Sequence, residues 1–220
     1  VGEADSLRKE IADAEGVAAE QVVIGDVLDA IAMHLAFEGG AGGEFVYSAP
    51  GYSAFADAAR LAGGKSIAVP LDAQLENDWR ALRAAVGTRT RALFIVNPHN
   101  PSGTVSEPGV LKNALRAAST SAFVLVDEAY IEYTDERDRA PTSFARAATS
   151  PFLGPSRRSA DSPVFRSATP SCRRRSPRLG EAGIGNPHSL DRLAVAAASE
   201  SLRDTAFQAT VRQRIAEERT

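Results

Sequence analysis

The sequence predicts an α/β protein built on a mostly parallel sheet with helices on its faces. Three observations carry that reading. Short apolar runs alternate with amphipathic stretches steadily from about Gly25 to Tyr130. In the central stretch, Ala92–Tyr133, two such runs (Ala92–Val96 and Ala122–Val126) flank a helix-like segment, which makes a strand, loop, helix, strand unit. Each run ends in a polar cluster, NPHNPSG at 97–103 and DEAY at 127–130. Open sheets of this class take their ligands just beyond the carboxyl ends of the strands.

The elements follow in order. Ser6 is placed to cap a first helix running to about Glu15, with Leu7 and Ile11 four apart on one face. Gln21–Ile24 is a short apolar run, and Gly25-Asp26 then opens a helix over Val27–Phe37 whose buried stripe is Leu28, Ile31, Ala32 and Leu35. The glycine-rich GGAGG at 39–43 neither follows a strand nor matches GxGxxG, so it reads as a turn and not as a dinucleotide loop. Glu44–Tyr47 is a strand, Pro50-Gly51-Tyr52 turns into a helix over Ser53–Leu61, and Lys65–Val69 is the next strand. Asn77–Val86 is a helix with Trp79, Leu82 and Val86 on its apolar side. Ser106 is a suitable N-cap for the central helix, with Pro108 in a first turn that has no use for its missing N–H. After a change of character at 151–180, order returns with a small-residue helix at Leu190–Ser199 and another starting at Asp204 or Thr205.

Composition narrows the class. With 220 residues, 44% hydrophobic and 24% charged, the chain is an ordinary globular sequence of one to one and a half domains. A net charge of −3 gives no reason to expect nucleic acid or an anionic membrane as partner. Cys172 is the only cysteine, which excludes an intrachain disulfide and a cysteine metal cluster. No apolar run reaches membrane-spanning length and no signal-peptide pattern is present, so a cytoplasmic location is expected. The chain starts at Val1 in what reads as a helix lead-in, as if its own beginning were missing.

Several loop residues carry chemistry, each with a plainer alternative. Asp127 ends a buried strand, where an unpaired carboxylate is costly. It is suited to pairing with a protonated ring nitrogen of a cofactor, or to capping its loop or meeting an arginine. Asn100, between Pro98 and Pro101, either donates to a cofactor oxygen or organises its own turn. Tyr130 is placed to bond the same oxygen. Tyr52 either stacks on a planar ring or packs in the core. The helix after Gly25-Asp26 offers free N–H groups to a phosphate, against which Asp26 and Asp29 would work. His34, His99 and His188 lack a second ligand at metal spacing and read as structural or solvent-facing, with no metal site. The cluster Arg173, Arg174, Arg175 and Arg178 lacks the interleaved aromatics of a nucleic-acid site.

Taken together, the segments EQVVIG, GGEFVYSAPGY, VPLDAQLEND, VNPHNPSGTV and LVDEAYIEY resemble the histidinol-phosphate aminotransferase group of the fold-type I, pyridoxal-phosphate-dependent aminotransferases. The resemblance covers about Asp5 to Glu132 and resumes at Gly185–Thr220, where GNPHSLDRLAVAAASESLRDT is typical of one branch. It implies the three-layer α/β/α large domain of that fold, incomplete here. The implied activity is amino transfer between histidinol phosphate and 2-oxoglutarate through pyridoxal 5′-phosphate in a cytoplasmic homodimer. An aromatic amino acid aminotransferase is the alternative enzyme, and a pseudoenzyme or interaction module the alternative to an enzyme. On matching positions, Asp127 would contact the pyridine nitrogen, Asn100 and Tyr130 the ring hydroxyl oxygen, and Tyr52 the ring face. Gly25, Asp26, Val27 and Leu28 would hold part of the phosphate.

One departure is large. The family continues from DEAY into another strand and then a serine- or glycine-lysine motif, whose lysine forms the Schiff base, with a phosphate-gripping arginine shortly after. Here Val164-Phe165-Arg166 fits the expected strand, but SATPSCRRRSPRLG follows and contains no lysine. The only lysines are Lys9, Lys65 and Lys112, all before DEAY. Arginine stays protonated and does not form the imine, so no catalytic residue is assigned. The organisation expected is therefore 1–139 as the cofactor-binding part of the large domain and 184–220 as its helical continuation toward a small domain that the chain lacks. Between them, 140–183 reads as a Pro/Ser/Arg-rich stretch, disordered, inserted or translated out of frame.

Overall fold

The computed structural model describes residues 2–25, 27–38, 41–134, 140, 145–148, 164–166 and 192–218. Their elements alternate as the sequence predicts: α1 (Gly2–Glu15), β1 (Val22–Ile24), α2 (Val27–Glu38), β2 (Glu44–Ala49), α3 (Ala54–Leu61), β3 (Lys65–Pro70) and α4 (Trp79–Ala85). Then come β4 (Thr90–Val96), α5 (Pro108–Ser119), β5 (Phe123–Asp127), β6 (Ala145–Ala148), β7 (Val164–Arg166), α6 (Arg192–Arg203) and α7 (Thr205–Glu218). They form one sheet of order β1-β7-β6-β5-β4-β2-β3. Strands β2 through β6 pair in parallel, while β7 runs antiparallel to both β6 and β1. β1 therefore points the same way as β2–β6, and their carboxyl ends share one edge of the sheet.

The three layers follow from the two-residue period of the strands. On β4, Ala92, Phe94 and Val96 face one core while Leu93 and Ile95 face the other; Phe123 and Leu125 divide from Val124 and Val126 on β5 in the same way. The first core is closed by α2 and α3 through Val27, Ile31, Leu35, Phe55 and Ala59, with the Phe55 and Phe94 rings stacked at 5.0 Å. The second is closed by Leu82 of α4 and by Leu111 and Leu115 of α5. A third cluster packs Leu7 and Ile11 of α1 and Val195 of α6 onto Val22 and Ile24 of β1.

Some sequence expectations change in detail. Ser6 lies inside α1, which starts at Gly2, and so is no cap. The cap of α5 is Glu107, whose carboxylate accepts from the Gly109 and Val110 N–H groups. Ser106 is instead held by its own N–H, which donates to Asn97 Oδ1 at 2.9 Å. A carboxylate can reach the first-turn donors from the residue beside Pro108 as well as a hydroxyl can. Within 140–183, Ala145–Ala148 and Val164–Arg166 are strands of the sheet. Strand pairing draws on backbone groups that every residue type except proline supplies in full, so a weak apolar pattern does not forbid it. The strand beside β5 is β6, not 164–166. The remaining part of that expectation, and His188 with the arginine cluster, lies outside the described residues.

Candidate functional site

Four loops meet the carboxyl edge of the sheet: Gly25 after β1, Pro50-Gly51-Tyr52 after β2, Asn97–Gly103 after β4, and Asp127–Tyr130 after β5. Gly25 has φ 136°, a conformation open to glycine, and it leads directly toward α2, whose first-turn N–H groups have no intrahelical partners. Val27 and Leu28 open that helix with buried side chains and Asp29 lies in its first turn; Asp26 is outside the described residues. The N-terminus of α2 thus stands at the same edge as the strand ends.

Two cross-links brace the loops. Asn97 N–H donates to the Asp127 carbonyl at 2.9 Å, which extends the β4–β5 pairing one step past the strands. Asn77, buried beside them, accepts from Ser48 Oγ at 2.6 Å and donates to the Val96 carbonyl at 3.2 Å, tying the end of β2 to the end of β4. The 97–104 loop is itself closed by His99 N–H to the Thr104 carbonyl and Gly103 N–H to the His99 carbonyl, both 2.8 Å.

Asp127 is 5% exposed, and among the described residues its carboxylate accepts one hydrogen bond, from the Ala129 N–H at 3.0 Å. The loop-capping alternative is therefore real, and an arginine partner is absent among those residues. Burial pushes its pKa up to about 6, the Ala129 hydrogen bond opposing. A half-satisfied buried carboxylate is well suited to a cationic partner.

Asn100 and Tyr130 come together on an open cavity of about 360 Å³, with His99, Tyr133 and Ile215 among its other walls. Asp127 and Tyr52 lie on adjoining loops of the same edge and do not line that cavity; Tyr52 is 44% exposed. Burial raises the Tyr133 pKa, with Tyr130 and Glu132 adding to the effect. Sequence reasoning missed Asn77, Tyr133 and Ile215, which sit in unremarkable local patterns and gain their place only through packing. Of the two sequence readings of His99, structural or solvent-facing, the structure has the first: the ring is 2% exposed, with Nε2 lacking a partner among the described residues. The prolines on either side of the His99–Asn100 pair were the available signal. His34 sits half-buried beside Glu38 on α2. Among the described residues no cluster of metal-ligating side chains occurs, and no helix is long and apolar enough to cross a membrane.

The lysines lie elsewhere. Lys65 starts β3 opposite Glu44, the first residue of β2, and so stands at the opposite edge of the sheet. A six-residue strand, roughly 17–20 Å long, separates it from the site. Lys9 and Lys112 are exposed on α1 and α5.

An open, mostly parallel sheet with helices on both faces and a polar site at the strand ends is the large-domain architecture of the fold-type I transferases. Histidinol-phosphate aminotransferase from Sinorhizobium meliloti, in complex with pyridoxal-5′-phosphate, superposes with a TM-score of 0.81 at 24% identity, over 98% of this chain and 59% of that one. Residues 2–152 match the aminotransferase class I and II family, and the chain belongs to it. A histidinol-phosphate aminotransferase of Moorella thermoacetica is 35% identical over 140 residues, 63% of this chain and 36% of the relative. An aromatic amino acid aminotransferase of Corynebacterium diphtheriae is 32% identical over 147 residues, 66% of this chain and 42% of the relative. The chain thus spans between a third and a half of the length of these curated relatives.

Proposed function

We propose that the chain carries the non-covalent half of a pyridoxal 5′-phosphate site of the histidinol-phosphate aminotransferase type. The observation that carries this reading is Asp127, a buried carboxylate with spare hydrogen-bonding capacity at the end of β5, next to loops bearing Asn100, Tyr130 and Tyr52. When bound, the cofactor supplies a protonated ring that withdraws electrons from the amino acid. The residues present fit that ring and its phosphate. Asp127 holds the proton on the ring nitrogen, because an ionised carboxylate in a buried place strongly favours a paired cation. Asn100 and Tyr130 orient the ring oxygen, and Tyr52 covers a ring face. Gly25, Asp26, Val27 and Leu28 hold the phosphate at the N-terminus of α2, where backbone N–H groups and the helix dipole favour an anion.

The residues do not fit covalent attachment, since no lysine reaches the site, and no step through that bond is assigned. The activity inferred is amino transfer from histidinol phosphate, the donor that the names of the Moorella and Sinorhizobium proteins print, to 2-oxoglutarate in a cytoplasmic homodimer, impaired or lost in this chain. Aromatic amino acids are the second donor class, favoured by the Corynebacterium relative. A cofactor-binding pseudoenzyme is favoured by the positions of Lys9, Lys65 and Lys112. The experiment is intact mass and peptide mapping after pyridoxal phosphate and borohydride, beside equilibrium binding by absorbance. Saturable binding without a stoichiometric adduct is expected, weakened about tenfold or more by Asp127→Asn, in keeping with the loss of a charge-assisted hydrogen bond. A single full adduct on one lysine would overturn the non-covalent reading, and absence of saturable binding would remove the cofactor site altogether.

A further inference from the structure

His99 is more than a buried loop residue, because the hydrogen bonds around it determine which ring nitrogen carries the proton. Thr104 Oγ1 donates its one hydrogen to the Leu75 carbonyl at 2.9 Å. At the 2.8 Å contact between the two hydroxyls, Ser102 Oγ must therefore be the donor to Thr104 Oγ1. With that hydrogen committed, Ser102 Oγ can only accept from His99 Nδ1 at 2.9 Å, and it also accepts from the Thr104 N–H at 3.4 Å. The ring is thus protonated at Nδ1 and carries a bare lone pair at Nε2. Burial lowers its pKa, which keeps the ring neutral at neutral pH.

The bare nitrogen faces the other loop. A Cβ added to Gly51 would stand 3.2 Å from Nε2 and 2.6 Å from the Ser48 carbonyl oxygen, so the turn before Tyr52 lies close against the imidazole only because residue 51 is glycine. Nε2 has no hydrogen-bond partner among the described residues and is closed off from solvent, so it acts on its surroundings and not on a ligand directly.

We propose that His99 is a positioning residue, held as one tautomer by the relay from Leu75 through Thr104 and Ser102, that seats the Pro50–Tyr52 turn against the loop carrying Asn100. The segment Asp72–Asn77, exposed only at 73–75, thereby supports the site from outside, through Leu75 by this relay and through buried Asn77 by the link to Ser48. The inference rests on the functional reading above only for what the Tyr52 ring then covers.

The test needs no cofactor. A long-range proton–nitrogen correlation spectrum of the isotope-labelled chain at neutral pH, assigned with His99→Asn, reports the tautomer directly. The expected pattern is protonated Nδ1 and bare Nε2, relaxing to a mixture in Ser102→Ala and in Thr104→Val. In fluorotyrosine-labelled chain, the Tyr52 resonance, assigned with Tyr52→Phe, shifts in the same two variants. A wild-type ring protonated at Nε2, or already a tautomer mixture, overturns the proposal even if neither variant folds. A Tyr52 resonance unmoved in folded variants overturns the seating role. Failure of the wild type to bind pyridoxal phosphate would sink the functional reading and leave this assignment intact.

Discussion

The block β2–β5 and the flank β6-β7-β1 are parts of one sheet built to different standards. β4 and β5 have 7 and 5 residues, with every side chain from Ala92 to Val96 and from Phe123 to Asp127 buried between two helix layers. β1 and β7 have 3 residues each and β6 has 4. Site residues are divided between them: Tyr52, Asn100, Asp127 and Tyr130 stand on the block, while Gly25–Leu28 depend on β1. On the proposed reading, the ring would rest on the longer strands covered on both faces, and the phosphate on the three-residue β1.

The largest expected effect breaks the block. Phe94 is 1% exposed and stacks on the Phe55 ring, so Phe94→Ala is expected to cost about 3–5 kcal/mol, measured by urea denaturation. Cofactor binding should then be lost with the fold.

A smaller effect has the opposite sign. The folded-state pKa of Asp127 is raised from 3.8 to about 6, so the native state binds more protons than the unfolded one between those values. Stability contributed by the protonated form is complete below the unfolded pKa and is lost as pH rises toward 6. Asp127→Asn keeps the acceptor for Ala129 and removes the buried charge. It is expected to stabilise the cofactor-free chain at pH 7 by about 2–3 kcal/mol and to flatten the pH 4–6 dependence of the urea midpoint. An unchanged pH profile would refute a burial-driven shift. The same variant weakens pyridoxal phosphate binding, so function and stability pull in opposite directions at this residue.

The smallest effect sharpens the contrast. Val23→Ala on β1 is expected to cost about 1.5 kcal/mol, since it removes roughly two buried methylene equivalents. Native-state hydrogen exchange should find the β1 amides opening at lower free energy than those of β4 and β5, and the substitution should widen that gap. Equal protection in all three strands would mean that the flank is as cooperative as the block.

Much of this was legible in the chain. The alternation of apolar runs and helical stripes located the elements from β1 to β5 to within about two residues, because strand and helix periods are local properties, while the start of α1, the end of α6 and the strand β6 were not legible in it. The clusters NPHNPSG and DEAY were assigned to strand ends for the same reason, and the structure has them there. The family was readable from these motifs in their order. The loss of the lysine was also a matter of sequence alone, since a residue type either occurs or does not.

What only the tertiary structure decided depends on neighbours distant in the chain. Ser106 has the right chemistry for a cap, yet Asn97 claims its N–H and Glu107 caps α5. The pairing of β6 with β5, and of β7 with β1 and β6, brings together backbones separated by up to 144 positions in register, as between Val22 and Arg166. The proton on His99 is set by Leu75, a residue from another loop. Periodicity and residue type are written along the chain, but a hydrogen-bond partner is chosen in space.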